Sequence, residues 1–243
     1  MSYVLIIGAK SDIAKATARE YAKNGYDIYL AARNSNELDE FRNDLVVRTE
    51  QEIKLLDLDI LNFKSHQKFY DSLDEKPLGV ITAVGYLGEQ KTAALDFKES
   101  QTIIDTNYTG VVSLLNIIAN DFEKRKSGFI VGISSVAGDR GRKSNFIYGS
   151  AKAALTTYLS GLRNRLYESK VHVMTVKPGF VATAMTEGMD LPEKLTAQPE
   201  EVARDIFKAQ QSNTNILYTK SIWQLIMLII KNIPEWQFKK MSI

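Results

Sequence analysis

Short runs of Val, Ile and Leu alternate with longer segments of helical periodicity along this 243-residue chain. Apolar runs of about four to eight residues are typical of parallel strands that are buried on both faces. The predicted strands are Tyr3–Ile7, Asp27–Ala32, Ile53–Leu58, Val80–Val84, Phe129–Ser134, Val171–Lys177 and Ile216–Tyr218. The predicted helices are Asp12–Lys23, Glu37–Arg48, Phe63–Leu73, Ser100–Lys126, Phe146–Glu168 and Pro199–Gln210. This order predicts a single doubly wound α/β domain with a seven-stranded parallel sheet, and a ligand outside the carboxyl ends of the strands.

The pattern at the C-terminus is different. The segment Ile222–Ile230, IWQLIMLII, is almost wholly apolar and lies between Lys220 and Lys231. It is too short to span a membrane, which takes about 20 apolar residues. As a helix it would be apolar on most sides, so its own core, another subunit or a membrane interface must cover it. We therefore separate a domain of residues 1–219 from a C-terminal extension of residues 220–243.

Composition and charge argue against several classes of function. With 31 Lys and Arg against 29 Asp and Glu, the net charge of +2 gives no general case for nucleic-acid binding. The chain has no cysteine, which excludes disulfides and cysteine metal sites. Its two histidines, His66 and His172, are isolated, so we expect structural roles and no metal site. The N-terminal YVLIIG resembles a strand without a leader sequence before it, and we expect a cytoplasmic protein.

The segment Ser134–Lys152, SSVAGDRGRKSNFIYGSAK, combines three residues with complementary chemistry. Tyr148 and Lys152 are four positions apart, so a helix would bring their polar ends to one face. A phenol has a pKa of about 10, and an ammonium group ~4 Å away would favour the phenolate by about 4 kcal/mol at an effective dielectric of 20. Ser135 follows an apolar run and would hydrogen-bond the same substrate oxygen. Together they predict proton transfer to a carbonyl or from an alcohol.

The spacing of Ser135, Tyr148 and Lys152 resembles the short-chain dehydrogenase/reductase family. The resemblance implies a Rossmann-like fold and hydride transfer between a nicotinamide cofactor and a carbonyl carbon. It implies that Tyr148 donates the proton, that Lys152 lowers the pKa of the tyrosine, and that Ser135 orients the carbonyl. It also implies that Asn107, in an Asn-Tyr-Thr-Gly segment, supports the proton relay. Members of the family commonly form homo-oligomers, so the resemblance implies one here.

A glycine turn after the first strand matches the family's phosphate-binding pattern in part. The turn Gly8–Ala14 keeps the first family glycine, whereas Asp12 and Ala14 replace the other two. At a helix N-terminus such a turn offers backbone N–H groups to a phosphate. A carboxylate at Asp12 would repel that phosphate unless it caps the helix and points away. The resemblance implies cofactor contacts by Gly8, Lys10, Ser11, Asp12 and Ile13.

The ends of later strands carry the other implied cofactor contacts. The second strand ends at Ala32 without an acid, and the guanidinium of Arg33 suits the 2′-phosphate of NADP. We therefore predict NADPH as the cofactor, with a merely solvated Arg33 as the alternative. Asp59 would contact the adenine or cap the following helix. The resemblance implies further cofactor contacts by Leu58, Asp59, Gly85, Tyr148, Lys152, Pro178, Gly179, Val181 and Thr183.

Some departures from the family pattern, among them Ala83–Gln90 and Ser134–Arg140, resemble the branch that contains decaprenylphosphoryl-2-keto-ribose 2-reductase. This likeness implies reduction of a keto-sugar linked to a polyprenyl phosphate for a cell-envelope polysaccharide. It also implies a flavin-dependent sugar oxidase as a partner. One alternative is a 3-oxoacyl or other small-carbonyl reductase. Another is an NADP-binding regulatory protein without catalysis.

Three cations, Arg140, Arg142 and Lys143, crowd into the loop that joins Ser135 to Tyr148. A solvated loop is the ordinary interpretation of such charges. Three cations beside a reacting carbonyl would also suit a substrate that carries a phosphate. The apolar C-terminal segment would then rest on the inner face of a membrane and meet the lipid of the same substrate. This hypothesis predicts peripheral membrane contact.

Overall fold

Strands and helices alternate along the computed structural model, which describes residues 2–241. Within that range the strands are β1 Tyr3–Ile7, β2 Asp27–Ala32, β3 Ile53–Asp57, β4 Gly79–Thr82, β5 Phe129–Ile133, β6 His172–Pro178, β7 Phe180–Val181, β8 Thr196–Ala197 and β9 Ile216–Thr219. The helices are α1 Asp12–Lys23, α2 Asp39–Thr49, α3 His66–Asp71, α4 Gln90–Leu95, α5 Phe97–Ile104, α6 Gly110–Arg125, α7 Phe146–Leu166, α8 Pro199–Gln211, α9 Ile222–Asn232 and α10 Glu235–Phe238.

The main sheet is parallel and has the strand order β3-β2-β1-β4-β5-β6-β9, while β7 pairs with β8. This confirms the predicted doubly wound α/β fold with a seven-stranded parallel sheet. The strand order reverses between β1 and β4, because the chain turns from β1 to β2 on one side and from β4 to β5 on the other. Ligands of such folds bind in the crevice outside the carboxyl ends of the strands at this reversal.

The side chains of β1 are divided between the two faces of the sheet. Val4 and Ile6 join one apolar cluster, and Leu5 and Ile7 join the other. All four are buried. A strand that is covered on both faces needs an apolar side chain at every position, which explains the uninterrupted run in the sequence. This burial holds the strand end next to the crevice in place.

The predicted helix Ser100–Lys126 is divided in the structure. A π-helical turn, Asp105–Thr109, separates α5 from α6. Gly110, the first residue of α6, lies so close to another segment that a Cβ there would be 2.3 Å from the carbonyl oxygen of Ile60. Such π-helical turns are frequent at functional sites. This turn contains Asn107.

The short helix α4 is an addition to the predicted elements. Its sequence, QKTAAL, is too short for a helical period to stand out. Glu89 stabilises its first turn, because the carboxylate accepts hydrogen bonds from the backbone N–H groups of Lys91 (2.9 Å) and Thr92 (2.5 Å). A side-chain cap of this kind satisfies N–H groups that have no partner within the helix.

The C-terminal extension forms α9 and α10. One side of α9 packs on the domain, where Trp223 and Met227 are buried together with Val136 and partly buried Phe180. The other side is open, and its exposed apolar residues are Ile222, Leu225, Leu228 and Ile229. In residues 2–241 no helix has both the length and the apolar character needed to cross a bilayer.

Candidate active site

A cleft of about 300 Å³ lies at the carboxyl ends of the sheet strands. Most of the predicted site residues line it together, namely Lys10, Ser11, Asp12, Ile13, Gly85, Ser135, Tyr148, Lys152, Pro178, Gly179, Val181 and Thr183. The other predicted residues are outside its lining, namely Gly8, Arg33, Leu58, Asp59 and Asn107. The fold therefore brings the serine, the tyrosine and the lysine to the same space as the turn that begins α1.

The catalytic candidates come from two neighbouring elements. Ser135 follows β5, and Tyr148 and Lys152 lie one helical turn apart in the first half of α7. The Lys152 Nζ atom donates hydrogen bonds to the carbonyl oxygens of Val84 (3.3 Å) and Ile133 (3.1 Å). It lies 5.7 Å from the centre of the Tyr148 ring. The ends of β4 and β5 thus hold the ammonium group behind the tyrosine.

Burial governs the protonation of both groups. It raises the pKa of Tyr148 to about 12, although a hydrogen bond with Ser135 acts in the opposite direction. Burial also lowers the pKa of Lys152 to about 8. The expected lowering of the tyrosine pKa by the lysine is therefore not found, since burial dominates the shift and Lys152 is not among its causes. Tyr148 remains a protonated phenol at neutral pH, the form that a proton donor requires.

Asn107 stands behind the cleft and positions the chain after Gly85. Its Nδ2 atom donates hydrogen bonds to the carbonyl oxygens of Tyr86 (2.7 Å) and Ile103 (2.8 Å). Its Oδ1 atom accepts a hydrogen bond from the Tyr86 N–H at 3.3 Å. A Cβ on Gly85 would lie 3.6 Å from that Oδ1 atom and 3.9 Å from the Lys152 Nζ atom. Asn107 therefore fixes the backbone beside the lysine without reaching the cleft.

In the turn before α1, Ser11 and Asp12 have different hydrogen-bond partners. Ser11 caps the helix and accepts a hydrogen bond from the Ala14 N–H at 3.2 Å. Asp12 lies in the first turn of α1, and its Oδ2 atom accepts a hydrogen bond from the Ala184 N–H at 2.9 Å. Gly8 has a φ of 81°, and a Cβ there would lie 2.9 Å from the Ala83 carbonyl carbon. The glycine is needed for close packing, while Asp12 joins α1 to the turn after Thr183.

Arg33 and Lys10 have different surroundings. Arg33 is exposed just after β2, and its side chain has no hydrogen bond or ion pair with any residue from 2 to 241. The Lys10 Nζ atom forms an ion pair with Glu37 at 2.8 Å. Of these two cations, Arg33 is the one available to an added phosphate.

The segment predicted to contact adenine is held by its own backbone. Leu58 is buried, and its N–H donates to the Ala32 carbonyl oxygen at 3.1 Å. Asp59 is exposed and accepts a hydrogen bond from the Leu61 N–H at 3.0 Å. The carboxylate of Asp59 therefore stabilises the turn that follows β3.

The turn after β6 contacts the C-terminal extension. A Cβ on Gly179 would lie 2.0 Å from the Trp223 ring, so a side chain at this position would displace the tryptophan. The Trp223 indole N–H donates to the Leu195 carbonyl oxygen at 3.0 Å, which fixes the ring. Val181 is buried, and the Thr183 N–H donates to the Thr186 Oγ1 atom at 3.2 Å. Helix α9 thus supports one wall of the cleft.

The loop cations do not all face the cleft. The Arg140 Nη1 atom donates to the carbonyl oxygens of Ile230 (2.5 Å) and Ile233 (2.7 Å) at the end of α9. Its Nη2 atom forms an ion pair with Glu235 at 3.0 Å, and its guanidinium lies 3.6 Å from the Phe238 ring centre. The prediction that Arg140 faces a substrate phosphate is therefore wrong, because its side chain is hydrogen-bonded and ion-paired to the C-terminal extension.

Several residues that line the cleft were not among the predicted site residues, namely Leu87, Arg142, Asn145, Met185 and Met189. Arg142 belongs to the predicted group of loop cations, but the sequence does not separate it from Arg140. Asn145 directly precedes α7, where an asparagine is ordinarily interpreted as a helix cap. Helical periodicity identifies neither the methionines nor Leu87 as cleft residues, because Leu87 and Met189 lie outside helices and strands and Met185 lies in a three-residue 3₁₀ turn.

Comparison with known proteins agrees with this geometry. The sequence model described as short chain dehydrogenase matches residues 2–194. The chain belongs to that family. An uncharacterized oxidoreductase of Mycobacterium tuberculosis strain H37Rv is 32% identical over 241 residues, which cover 98% of this chain and 96% of the relative. The protein is accordingly an oxidoreductase of the short-chain dehydrogenase family.

Two further similar proteins extend the comparison. The NADP-dependent 3-hydroxy acid dehydrogenase of Schizosaccharomyces pombe is 27% identical over 234 residues, covering 90% of each chain. The fold is similar to that of a short-chain dehydrogenase from Sphingobium yanoikuyae, solved in complex with NADPH. That structure has a TM-score of 0.83 and 22% identity, and the match covers 97% of both chains.

Proposed function

We propose that this protein reduces a carbonyl to an alcohol with NADPH. The observation that carries the proposal is the meeting of protonated Tyr148, Ser135 and Lys152 in one cleft with the N-terminus of α1. This chain's residues fit the cofactor. Gly8 has no side chain where the backbone approaches Ala83, and α1 presents its N-terminus to the cleft. Arg33, without a partner in the described part of the chain, suits the phosphate that distinguishes NADPH from NADH.

The protein residues supply the proton and the geometry. Bound NADPH supplies the hydride that adds to the carbonyl carbon. Tyr148 donates its phenolic proton to the carbonyl oxygen as the C=O π bond breaks, so that hydride and proton together give the alcohol. Ser135 hydrogen-bonds the same oxygen and holds it next to the phenol. Lys152, when protonated, stabilises the phenolate that remains on Tyr148, and Asn107 holds the backbone beside that lysine.

For the substrate we propose a keto-sugar joined to a polyprenyl phosphate. Arg142 and Asn145 give the cleft polar groups for such a ligand, while Leu87, Met185 and Met189 provide apolar surface. The competing proposal is a small 3-oxo acid, which the name of the Schizosaccharomyces pombe relative favours. A homo-oligomer and a flavin-dependent sugar oxidase partner stay predictions.

Peripheral membrane contact belongs to the lipid-linked form of the proposal. The exposed side of α9 presents Leu225, Leu228 and Ile229, and Lys231 is in its last turn. Apolar side chains flanked by cations suit the interface of an anionic bilayer. Flotation with vesicles of phosphatidylglycerol should recover the protein, and Leu228→Glu should abolish recovery at unchanged folding. Equal recovery of both proteins would contradict the membrane contact.

The reductase is tested by following NADPH consumption with a panel of carbonyls. The panel pairs a phosphorylated ketose with its unphosphorylated form, and adds acetoacetate and a neutral ketone. Turnover that is fastest with the phosphorylated ketose would support the sugar proposal, whereas acetoacetate as the best substrate would support the 3-oxo acid. NADPH binding without consumption across the panel would contradict a reductase and favour the regulatory alternative.

A further inference from the structure

The loop between Ser135 and Tyr148 places two polar side chains in the cleft without completing their hydrogen bonds. The Nε atom of Arg142 and the Oδ1 atom of Asn145 are both inaccessible to solvent and have no partner among residues 2–241. Both residues line the cleft that contains Tyr148. Buried polar groups are normally hydrogen-bonded, because leaving one unpaired costs free energy. Two such atoms in one loop therefore need a partner from outside the described chain, which a ligand in the cleft can supply.

The charge of Arg142 is not balanced by a bonded carboxylate from Asp139, the acid that acts on it electrostatically. Asp139 accepts hydrogen bonds from the Lys177 ammonium group at 2.5 Å and from the Tyr218 hydroxyl at 2.7 Å. That carboxylate is thus occupied by two groups on β6 and β9. Burial lowers the pKa of the Arg142 guanidinium, with Asp139 only opposing the change. A half-buried guanidinium without a bonded carboxylate is stabilised by an oxyanion that enters the cleft.

Asn145 supports the same conclusion from helix geometry. It occupies the N-cap position of α7, yet its side chain makes no capping hydrogen bond. Asparagine is favoured at this position because its side-chain oxygen usually accepts from the first turn. Here the oxygen is buried and unpaired instead. An acceptor in that position suits a hydroxyl group of a bound molecule.

We propose that Arg142 and Asn145 form a substrate subsite in which Arg142 binds an oxyanion and Asn145 accepts a hydrogen bond from a neighbouring hydroxyl. The ligand class is a hydroxylated carbonyl compound that carries a carboxylate or a phosphate. As a statement about substrate, it rests on the carbonyl reduction proposed above. Arg140 is not part of this subsite, because its side chain bonds to Ile230 of α9 and Glu235 of α10.

Anion binding tests the subsite without requiring turnover. Calorimetric titration of the NADPH-saturated protein with inorganic phosphate, and separately with acetate, should give saturable binding of at least one anion. Arg142→Gln should weaken that binding at least about tenfold, and Arg142→Lys should weaken it less. Lys143→Gln is the matched control, because Lys143 is exposed on the same loop and does not line the cleft. The proposal is overturned if neither anion saturates or if Arg142→Gln binds like the wild type.

Pairs of ketones with and without an anionic group then test whether the subsite acts in the reaction. Arg142→Gln should lower kcat/KM at least about tenfold for 4-oxocyclohexanecarboxylate and leave 4-methylcyclohexanone within about twofold. Ribulose 5-phosphate and ribulose give the corresponding pair for a phosphate. The pair in which Arg142→Gln loses more kcat/KM on the anionic ketone identifies whether the subsite prefers a carboxylate or a phosphate. Equal losses within both pairs contradict the subsite. If no ketone is reduced, the proposed function fails, while the titration still decides whether Arg142 binds an anion.

Asn145 has its own test. Asn145→Ala should raise KM for ribulose several-fold and leave both kcat and the unfolding temperature nearly unchanged, because the side chain makes no capping bond. A lower unfolding temperature with an unchanged KM would assign Asn145 to the stability of α7 and overturn its part in the subsite.

Discussion

Arg140 and Arg142 lie on opposite sides of one loop. Arg140 faces the C-terminal extension, where the carbonyl oxygens of Ile230 and Ile233 and the carboxylate of Glu235 accept its hydrogen bonds. Arg142 faces the cleft, where its buried Nε atom has no partner in the described part of the chain. The two side chains carry the same charge, so their different surroundings and not their chemistry distinguish a structural arginine from the one that we propose binds an anion.

The same distinction applies elsewhere in the molecule. Lys10 is joined to Glu37 and Asp12 to the Ala184 N–H, so both contribute to the shape of the cleft. Arg33 has no such partner among residues 2–241 and remains available to a ligand. Polar groups whose hydrogen bonds are complete within the protein stabilise it, whereas a buried polar group without one needs a partner from outside the chain, such as a water or a ligand.

Removing each arginine in turn tests whether the two contribute differently to stability. Arg140→Ala should lower the free energy of unfolding by about 3 kcal/mol, because it removes charged hydrogen bonds to partly buried carbonyl oxygens. Arg142→Gln should change that free energy by less than about 0.5 kcal/mol. Urea denaturation measures both, with Arg140→Lys as an intermediate control. Equal losses at the two positions would contradict the distinction.

Lys152 donates hydrogen bonds, yet burial disfavours its charged form. Its folded pKa is about 8 against an ordinary 10.5, so the unfolded chain binds more protons between these values. The free energy of unfolding should therefore rise with pH in that interval. From pH 7.5 to 9.5 the wild type should gain about 2 kcal/mol relative to Lys152→Met. If the difference in the free energy of unfolding between the two proteins did not change with pH, the pKa of Lys152 would not be lowered in the folded protein.

Arg33 extends the comparison to the cofactor. Arg33→Ala should weaken NADPH binding about tenfold and leave NADH binding nearly unchanged, since only NADPH carries the 2′-phosphate. Fluorescence titration with each cofactor measures the two dissociation constants. Equal losses for both cofactors would return Arg33 to the role of a solvated surface residue.

The sequence was informative where structure is local. The apolar run of β1 predicts a strand that is buried on both faces, and Tyr148 and Lys152 share a face because four residues make about one helical turn. Helical periodicity does not predict the division of Ser100–Lys126. The π-helical turn contains Asn107, which donates a hydrogen bond to the carbonyl oxygen of distant Tyr86, and a contact of this kind is not visible in the sequence.

The partners of charged side chains were the least predictable feature. Asp12 is bonded to the Ala184 N–H, and Arg140 to Ile230 and Ile233. These pairs lie far apart in sequence, and only the folded chain brings them together. The same reason explains Gly179, whose missing side chain leaves room for Trp223. Spacing within a motif predicts the catalytic residue types, but the tertiary fold decides which neighbouring cations face the cleft.

We propose that the cleft reduces a carbonyl and that Tyr148 donates the proton. This proposal is tested by comparing wild type and Tyr148→Phe at saturating NADPH with a ketone that the wild type reduces. The variant removes the phenolic hydroxyl and little else. We expect a fall in kcat of at least about a hundredfold, with the dissociation constant of NADPH within about twofold of the wild type. A kcat within about tenfold of the wild type would contradict it.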